Sequence, residues 1–131
     1  MKKNILITGV AGFIGSNLAE MLLKNNFNVV GIDNLSYGVL EQVPKGVDFH
    51  KKDIRDKDIH NLFNDIDCVF HLAAKNSIID CEENPSETED INVNGTKNIF
   101  EASIRKNIRK VIYAESSAVY EGTQKFPSSE T

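Results

Sequence analysis

The stretch of this chain best suited to chemistry lies near its start. Gly9, Gly12 and Gly15 punctuate Gly9-Val10-Ala11-Gly12-Phe13-Ile14-Gly15. Glycines so placed let a backbone turn sharply and come within reach of a phosphate. Ahead of them lies an apolar run, Lys2 to Thr8 (KKNILIT). Behind them Ile14, Leu18, Met21 and Leu22 recur at i, i+4, i+7 and i+8, which predicts a helix. Strand, glycine turn and helix N-terminus together cradle a pyrophosphate, because the helix offers free N–H groups and the positive end of its dipole. A second apolar run, Phe27 to Asp33 (FNVVGID), ends in a carboxylate. Asp33 can there accept hydrogen bonds from both ribose hydroxyls of an adenosine and repel a 2′-phosphate, which favours NAD over NADP. The alternative is a structural glycine turn with a solvated Asp beside it.

These groups need a scaffold, and the pattern supplies one. Asn34-Leu35-Ser36-Tyr37-Gly38 reads as a polar loop placed to wrap the adenosine end, and Val43-Pro44-Lys45-Gly46 as a turn. Val47 to His50 alternates like a third strand. Asp53-Ile54 follows, then a short helix from Asp56 to Phe63. Asp67 to Leu72 is a fourth strand with Ala73-Ala74 at its end, and residues 75–85 read as a long loop closed by Asn84-Pro85. Ser86 to Lys106 predicts a long helix, capped by Ser86 with Glu89 completing a capping box. Val93, Phe100 and Ile104 share one of its faces, and Ile91 and Ile99 a neighbouring stripe. Gly95 should cost it ~1 kcal/mol against Ala unless close packing needs it. Lys110 to Ala114 is a fifth strand, and Glu115 to Thr131 reads as loop.

Strands alternating with helices predict an α/β fold: a doubly wound parallel sheet of order 3-2-1-4-5 with helices on both faces. In such a sheet ligands bind beyond the carboxyl ends of the strands. Thr8-Gly9, Asp33, Asp53, Leu72-Ala73-Ala74 and Glu115-Ser116 all fall at that edge.

Composition narrows the partners. The 131 residues suit one domain, with 40% hydrophobic and 26% charged residues, ordinary for a soluble globular chain. The net charge is −4 and no basic stripe runs along the chain, which argues against nucleic acid. The densest basic stretch, Arg105 to Lys110, reads as a solvated helix end. No apolar stretch approaches the ~20 residues that span a bilayer, so no membrane role is expected, and the N-terminus lacks a signal-peptide cleavage site. A cytoplasmic location follows as the default. Cys68 and Cys81, the 2 cysteines, have no partner at metal-ligand spacing and read as reduced thiols; no metal site is expected.

The motifs Thr8-Gly9-x-x-Gly12-Phe13-Ile14-Gly15, Asp33-Asn34-Leu35, Asp53-Ile54-Arg55-Asp56, His71-Leu72-Ala73-Ala74, Asn92-Val93-x-Gly95-Thr96-x-Asn98 and Ser116-Ser117-Ala118-Val119-Tyr120 resemble those of the extended short-chain dehydrogenase/reductases. More narrowly the chain resembles the NAD-dependent sugar-nucleotide epimerases and dehydratases. The resemblance covers nearly the whole chain and implies a Rossmann fold over residues 1–131. It implies that Phe13 and Ile14 place backbone N–H groups near the pyrophosphate. Asp33 holds the adenosine ribose, with Asn34 and Ser36 nearby. Asp53 and Ile54 meet the adenine edge through a side chain and a backbone group. Leu72, Ala73 and Ala74 pass beneath the dinucleotide, Asn92 steadies the site, and the Ser116 hydroxyl bonds the reacting sugar oxygen. The dehydratase branch has Asp and Glu after that serine. Here stand Ser117 and Ala118, neither a carboxyl acid or base, which favours an epimerase or simple oxidoreductase.

There are departures. Glu115 replaces a small residue, and Glu121 separates Tyr120 from Gly122. Lys75 either approaches the pyrophosphate or is solvated. Family chemistry also needs a Tyr-x-x-x-Lys pair, in which Lys lowers the Tyr pKa. The 3 tyrosines, Tyr37, Tyr113 and Tyr120, are followed at that spacing by Glu41, Ser117 and Gln124. By resemblance the pair lies beyond the Pro127-Ser128-Ser129-Glu130 loop, as do the last strands and a substrate domain. The expectation is therefore the N-terminal, NAD-binding part of a nucleotide-sugar epimerase, an isomerase with internal redox chemistry that is homodimeric when full length and inactive as this piece alone. The alternatives are a free-standing dinucleotide-binding module and another extended family member, such as a decarboxylase, dehydratase or carbonyl reductase.

Overall fold

The computed structural model describes residues 2–120, with Gly122 and Pro127. Five parallel strands, β1 (Asn4–Thr8), β2 (Asn28–Asp33), β3 (Asp48–Lys51), β4 (Cys68–His71) and β5 (Lys110–Tyr113), form one sheet of order β3-β2-β1-β4-β5. β1 lies at its centre, with Leu6 opposite Val30 on one side and Val69 on the other. This is the expected topology, each strand trimmed or shifted by a residue or so from the apolar run that announces it.

Alternation along β1 sends side chains to both faces. Leu6 joins Ile32, Ile54, Ile59, Phe63, Ile66, Val69, Ile99 and Ala102 in one core. Ile5 and Ile7 join Val10, Ala19 and Val29 in the other, backed by Leu18, Leu22 and Leu23 of α1 (Phe13–Lys24). Burial on both faces is why the strands read as apolar runs. Two members of the predicted apolar stripe of α1 do not join that core. Ile14 is 66% exposed and Met21 55%, and Leu23 packs inward instead.

The connection after β4 departs from the expected loop. Residues Ile78–Glu83 form a short helix, α2, whose N-cap Ser77 accepts a hydrogen bond from Asp80 N at 3.4 Å. The long helix predicted from Ser86 starts instead at Pro85, with Asn84 at its N-cap and no side-chain cap bond, so Ser86 and Glu89 form no capping box. Proline suits the first helical turn, where its missing N–H would have had no helical acceptor. The helix then runs as α3 (Pro85–Glu89), a π-helical turn (Asp90–Gly95) and α4 (Thr96–Arg105). Gly95 fits because a Cβ there would stand 2.6 Å from Ile54 Cδ1. Of its apolar residues, Ile99 and Ala102 are buried, while Val93, Phe100 and Ile104 are exposed. The predicted helix from Asp56 is a 3-10 helix, Lys57–Phe63. The stretch after β5 contains a 3-10 turn, Ser117–Tyr120. Glu121 and the Ser128-Ser129-Glu130 part of the terminal loop lie outside the described residues.

Asn98 ties α4 to the loop beyond β3. Buried to 2% exposure, it donates from Nδ2 to the carbonyls of Ile54 (2.8 Å) and Asp56 (2.9 Å). Its Oδ1 accepts from Lys57 Nζ at 3.0 Å and meets His60 Nε2 at 2.7 Å. An alanine would strand these groups without partners. Asn98→Ala is expected to cost about 3 kcal/mol in urea denaturation, and a loss below about 1 kcal/mol would contradict this account.

Candidate dinucleotide-binding site

The glycine turn joins the end of β1 to α1. Gly9 has φ +74°, and a Cβ on it would lie 2.9 Å from Ala73 N. A Cβ on Gly15 would lie 2.2 Å from Gly9 O and 2.8 Å from Val10 Cα. These two positions therefore require glycine, for the turn and for the close approach of α1 to it. Gly12 is less confined, its nearest neighbour being Gly9 O at 3.3 Å. Gly12 is the N-cap of α1 and offers no side chain to its N–H groups. The first N–H groups of a helix have no intrahelical partner, so those of Phe13 and Ile14 are available to an anion. The Phe13 side chain is 81% exposed beside them.

Asp33, at the end of β2, does more than the sequence shows. Its Oδ2 accepts from Ala11 N at 3.0 Å and its Oδ1 from Leu35 N at 2.8 Å. The carboxylate thus braces the glycine turn and shapes the following loop, and each oxygen keeps acceptor capacity for a ribose hydroxyl. Asn34 accepts from Ser36 N at 3.0 Å and donates to Asp53 Oδ2 at 3.1 Å. Ser36 is exposed at the loop's outer edge. Arg55 grips Asp53 and, by its hydrogen bonds and charge, holds that carboxyl down to about 2, so it is ionised at any working pH. Beside it the Ile54 N–H has no acceptor among the described residues.

A buried chain that the motif letters do not reveal secures the other wall. Thr8 Oγ1 accepts from Leu72 N and Ala73 N, each at 3.2 Å, and lies 2.7 Å from His71 Nδ1. With those two N–H groups on its oxygen, Thr8 turns its own proton to Nδ1. His71 is then the neutral Nε2–H tautomer, donating to Thr96 Oγ1 at 2.8 Å. This fixes Leu72, Ala73 and Ala74 against Gly9.

Asn92, inside the π turn, accepts from Lys75 N at 2.8 Å and donates to Lys75 O at 2.9 Å. It clamps the chain just past Ala74. The side chain of Lys75 is neither solvated nor aimed at the glycine turn: it is 5% exposed and paired with Glu87. Above the edge, Tyr37 Oη donates to Asp80 Oδ2 at 2.9 Å, joining the loop after β2 to α2. Ser116 stands past β5, exposed, with its hydroxyl oxygen accepting only from Ala118 N at 3.1 Å. Among the described residues its hydrogen bonds reach no other predicted site residue, and Asn92 reaches them only through Lys75. Those residues hold no group of three His, Cys, Asp or Glu able to hold a metal, and no helix long and apolar enough to cross a membrane.

Doubly wound topology, a glycine turn opening a helix and an acid ending the second strand define the class of dinucleotide-binding α/β domains. The residues fit such a cofactor: the turn admits no side chain at Gly9 or Gly15, and the N–H groups of Phe13 and Ile14 have no acceptor among the described residues. The sequence model of the NAD dependent epimerase/dehydratase family matches residues 5–131, and the chain belongs to that family. It is 42% identical over 119 residues to a putative UDP-glucose 4-epimerase of Methanocaldococcus jannaschii, covering 88% of this chain and 39% of that protein. It is also 42% identical over 131 residues to a UDP-N-acetyl-alpha-D-glucosaminuronate decarboxylase of Bacillus cytotoxicus, covering 96% and 40%. A UDP-glucose 4-epimerase of Thermus thermophilus, solved in complex with NAD, superposes with a TM-score of 0.82 at 37% identity, covering 86% of this chain and 37% of that one. The chain therefore spans about 40% of the length of these relatives.

Proposed function

We propose that this chain is the NAD-binding part of a nucleotide-sugar epimerase. One observation carries the reading: the glycine turn, braced by Asp33 on one side and packed on Ala73 on the other, sits at the switch point of the sheet. The N–H groups of Phe13 and Ile14 hold the pyrophosphate, and Gly9, Gly12 and Gly15 allow its approach. Asp33 takes the ribose hydroxyls, with Asn34 and Ser36 shaping the loop around it. Asp53 and the Ile54 N–H meet the adenine edge, and Leu72, Ala73 and Ala74 form the floor, kept in place by Asn92. When bound, NAD supplies a reversible hydride acceptor for a sugar hydroxyl. Ser116 orients that hydroxyl by hydrogen bonding, and the Tyr-x-x-x-Lys pair that moves its proton belongs to the remaining length of the whole protein. The exposed face of Val93, Phe100 and Ile104 is covered there, in a homodimer.

The test is the longest in-frame product that carries this sequence. It is expected to contain Tyr-x-x-x-Lys within a few dozen codons after Thr131. Incubated with UDP-glucose and no added cofactor, it should invert C4, read by proton NMR. Release of carbon dioxide from a UDP-uronate instead would favour the decarboxylase chemistry of the Bacillus relative. No reaction from an NAD-loaded product would overturn the enzymatic reading.

Asp33→Ala tests the ribose contact. Because Asp33 also holds Ala11 N, the affinity for either nucleotide should fall, and the informative quantity is their ratio. A preference for NAD over NADP of about a hundredfold should shrink to about tenfold once the repelling carboxylate is gone. An unchanged ratio of dissociation constants would show that Asp33 does not face the ribose.

A further inference from the structure

We propose that Arg55 is a positioning residue for recognition of adenine, resting on the cofactor site proposed above. The Asp53 carboxylate accepts four hydrogen bonds. Oδ1 takes Arg55 N and Arg55 Nε, both at 2.9 Å. Oδ2 takes Arg55 Nη2 at 2.8 Å and Asn34 Nδ2 at 3.1 Å. Four bonds fill the lone-pair positions of a carboxylate. Three of them come from one residue, one from its backbone N–H and two from a planar guanidinium fork that lysine cannot imitate. The remaining guanidinium nitrogen, Nη1, bonds Asp90 Oδ2 at 3.0 Å, and Asn94 Nδ2 holds the other Asp90 oxygen at 2.9 Å. Arg55 is thus pinned between the sheet edge and the π turn, and Asp53 has no freedom to rotate.

The longest of the four bonds, from Asn34, is the one an incoming amine replaces. Next to it the Ile54 N–H has no acceptor among the described residues, and the Ile54 carbonyl is fixed by Asn98. An acceptor and a donor on adjacent residues match the N6 amine and N1 of adenine. Hypoxanthine presents the reverse, a carbonyl oxygen and an N1–H, and meets like against like at both places. Discrimination between the two bases then depends on how firmly Arg55 aims the carboxylate.

The experiment measures dissociation constants for NAD and for nicotinamide hypoxanthine dinucleotide, on the longest in-frame product and its Arg55→Lys and Asp90→Ala variants. The native protein should prefer NAD by about tenfold or more, as expected when a polar site meets mismatched donors and acceptors. Arg55→Lys should reduce the preference to about twofold, and Asp90→Ala should reduce it part of the way. Asp90 is half exposed, so its variant keeps the test open if Arg55→Lys fails to fold. A merely structural role would weaken both nucleotides alike. An unchanged ratio in the variants therefore overturns the proposal while leaving the cofactor site standing. A native protein that binds NAD without preferring it overturns both the adenine contact and the role of Arg55. A native protein that binds neither nucleotide overturns the cofactor site itself.

Discussion

Gly15→Ala is expected to abolish NAD binding and to destabilise the fold by about 3 kcal/mol or more. The added Cβ would meet Gly9 O at 2.2 Å, Val10 Cα at 2.8 Å and Gly9 C at 2.9 Å. All three are backbone atoms, so no side chain can swing away. Relief requires α1 to move off the turn, which uncovers Ala19, Leu18 and Leu22 from the core and withdraws the N–H groups of Phe13 and Ile14. Gly12→Ala provides the contrast. Its nearest neighbour lies at 3.3 Å, so its effect on urea stability should stay within about 1 kcal/mol. Equal losses of stability in the two variants would contradict the geometry of the turn.

The second large effect is acid sensitivity through His71. Burial pushes its imidazole pKa from 6.5 down to about 4. In the unfolded chain the ring titrates near its ordinary value. Between those two pH values the unfolded state therefore binds more protons, so stability rises with pH. The contribution is complete above about pH 6.5 and is lost progressively as the pH falls to about 4, a span worth about 3 kcal/mol. The geometry explains the sign. A proton added at Nδ1 would face Thr8 Oγ1, whose lone pairs already take Leu72 N and Ala73 N. Nitrogen-15 NMR of the 3 histidines separates His71 from the carboxylates that titrate in the same range. His71 should remain the neutral Nε2–H tautomer at pH 6. A midpoint near 6.5 for this ring, or the opposite tautomer, would contradict the assignment.

Sequence and structure agree where the signal is local. Glycines followed by helical periodicity locate the turn, because its requirement is written in the residues that form it. The apolar runs locate all five strands, because a parallel sheet buried on both faces leaves no polar alternation to blur them. Contacts made across the fold were not legible. The position of Asp33 at its strand end predicts a ribose contact, but its bond to Ala11 N exists only once β2 lies beside β1. Asn98 stands in a motif, yet nothing near it in sequence shows that it joins Ile54, Asp56, Lys57 and His60. The π turn escapes periodicity because its residues answer to distant groups, Asn92 to Lys75 and Asp90 to Arg55. Ser77 and Asp80 did carry a start signal for α2, but six residues are too few for a helical period to show. Val93, Phe100 and Ile104 share a face as their spacing implies, and spacing alone does not say that Ile99 wins the core.

One NAD is expected to lie across the turn, the Asp33 strand end and the Asp53-Ile54 loop. A titration of the nitrogen-15-labelled protein with NAD, followed by amide NMR, tests this placement. The amides of Gly12, Phe13, Ile14 and Ile54 should shift together to a single saturation, while NADP at the same concentration leaves them in place. No shift with NAD, or shifts confined to the groove between α1 and residues 41–45, would contradict it.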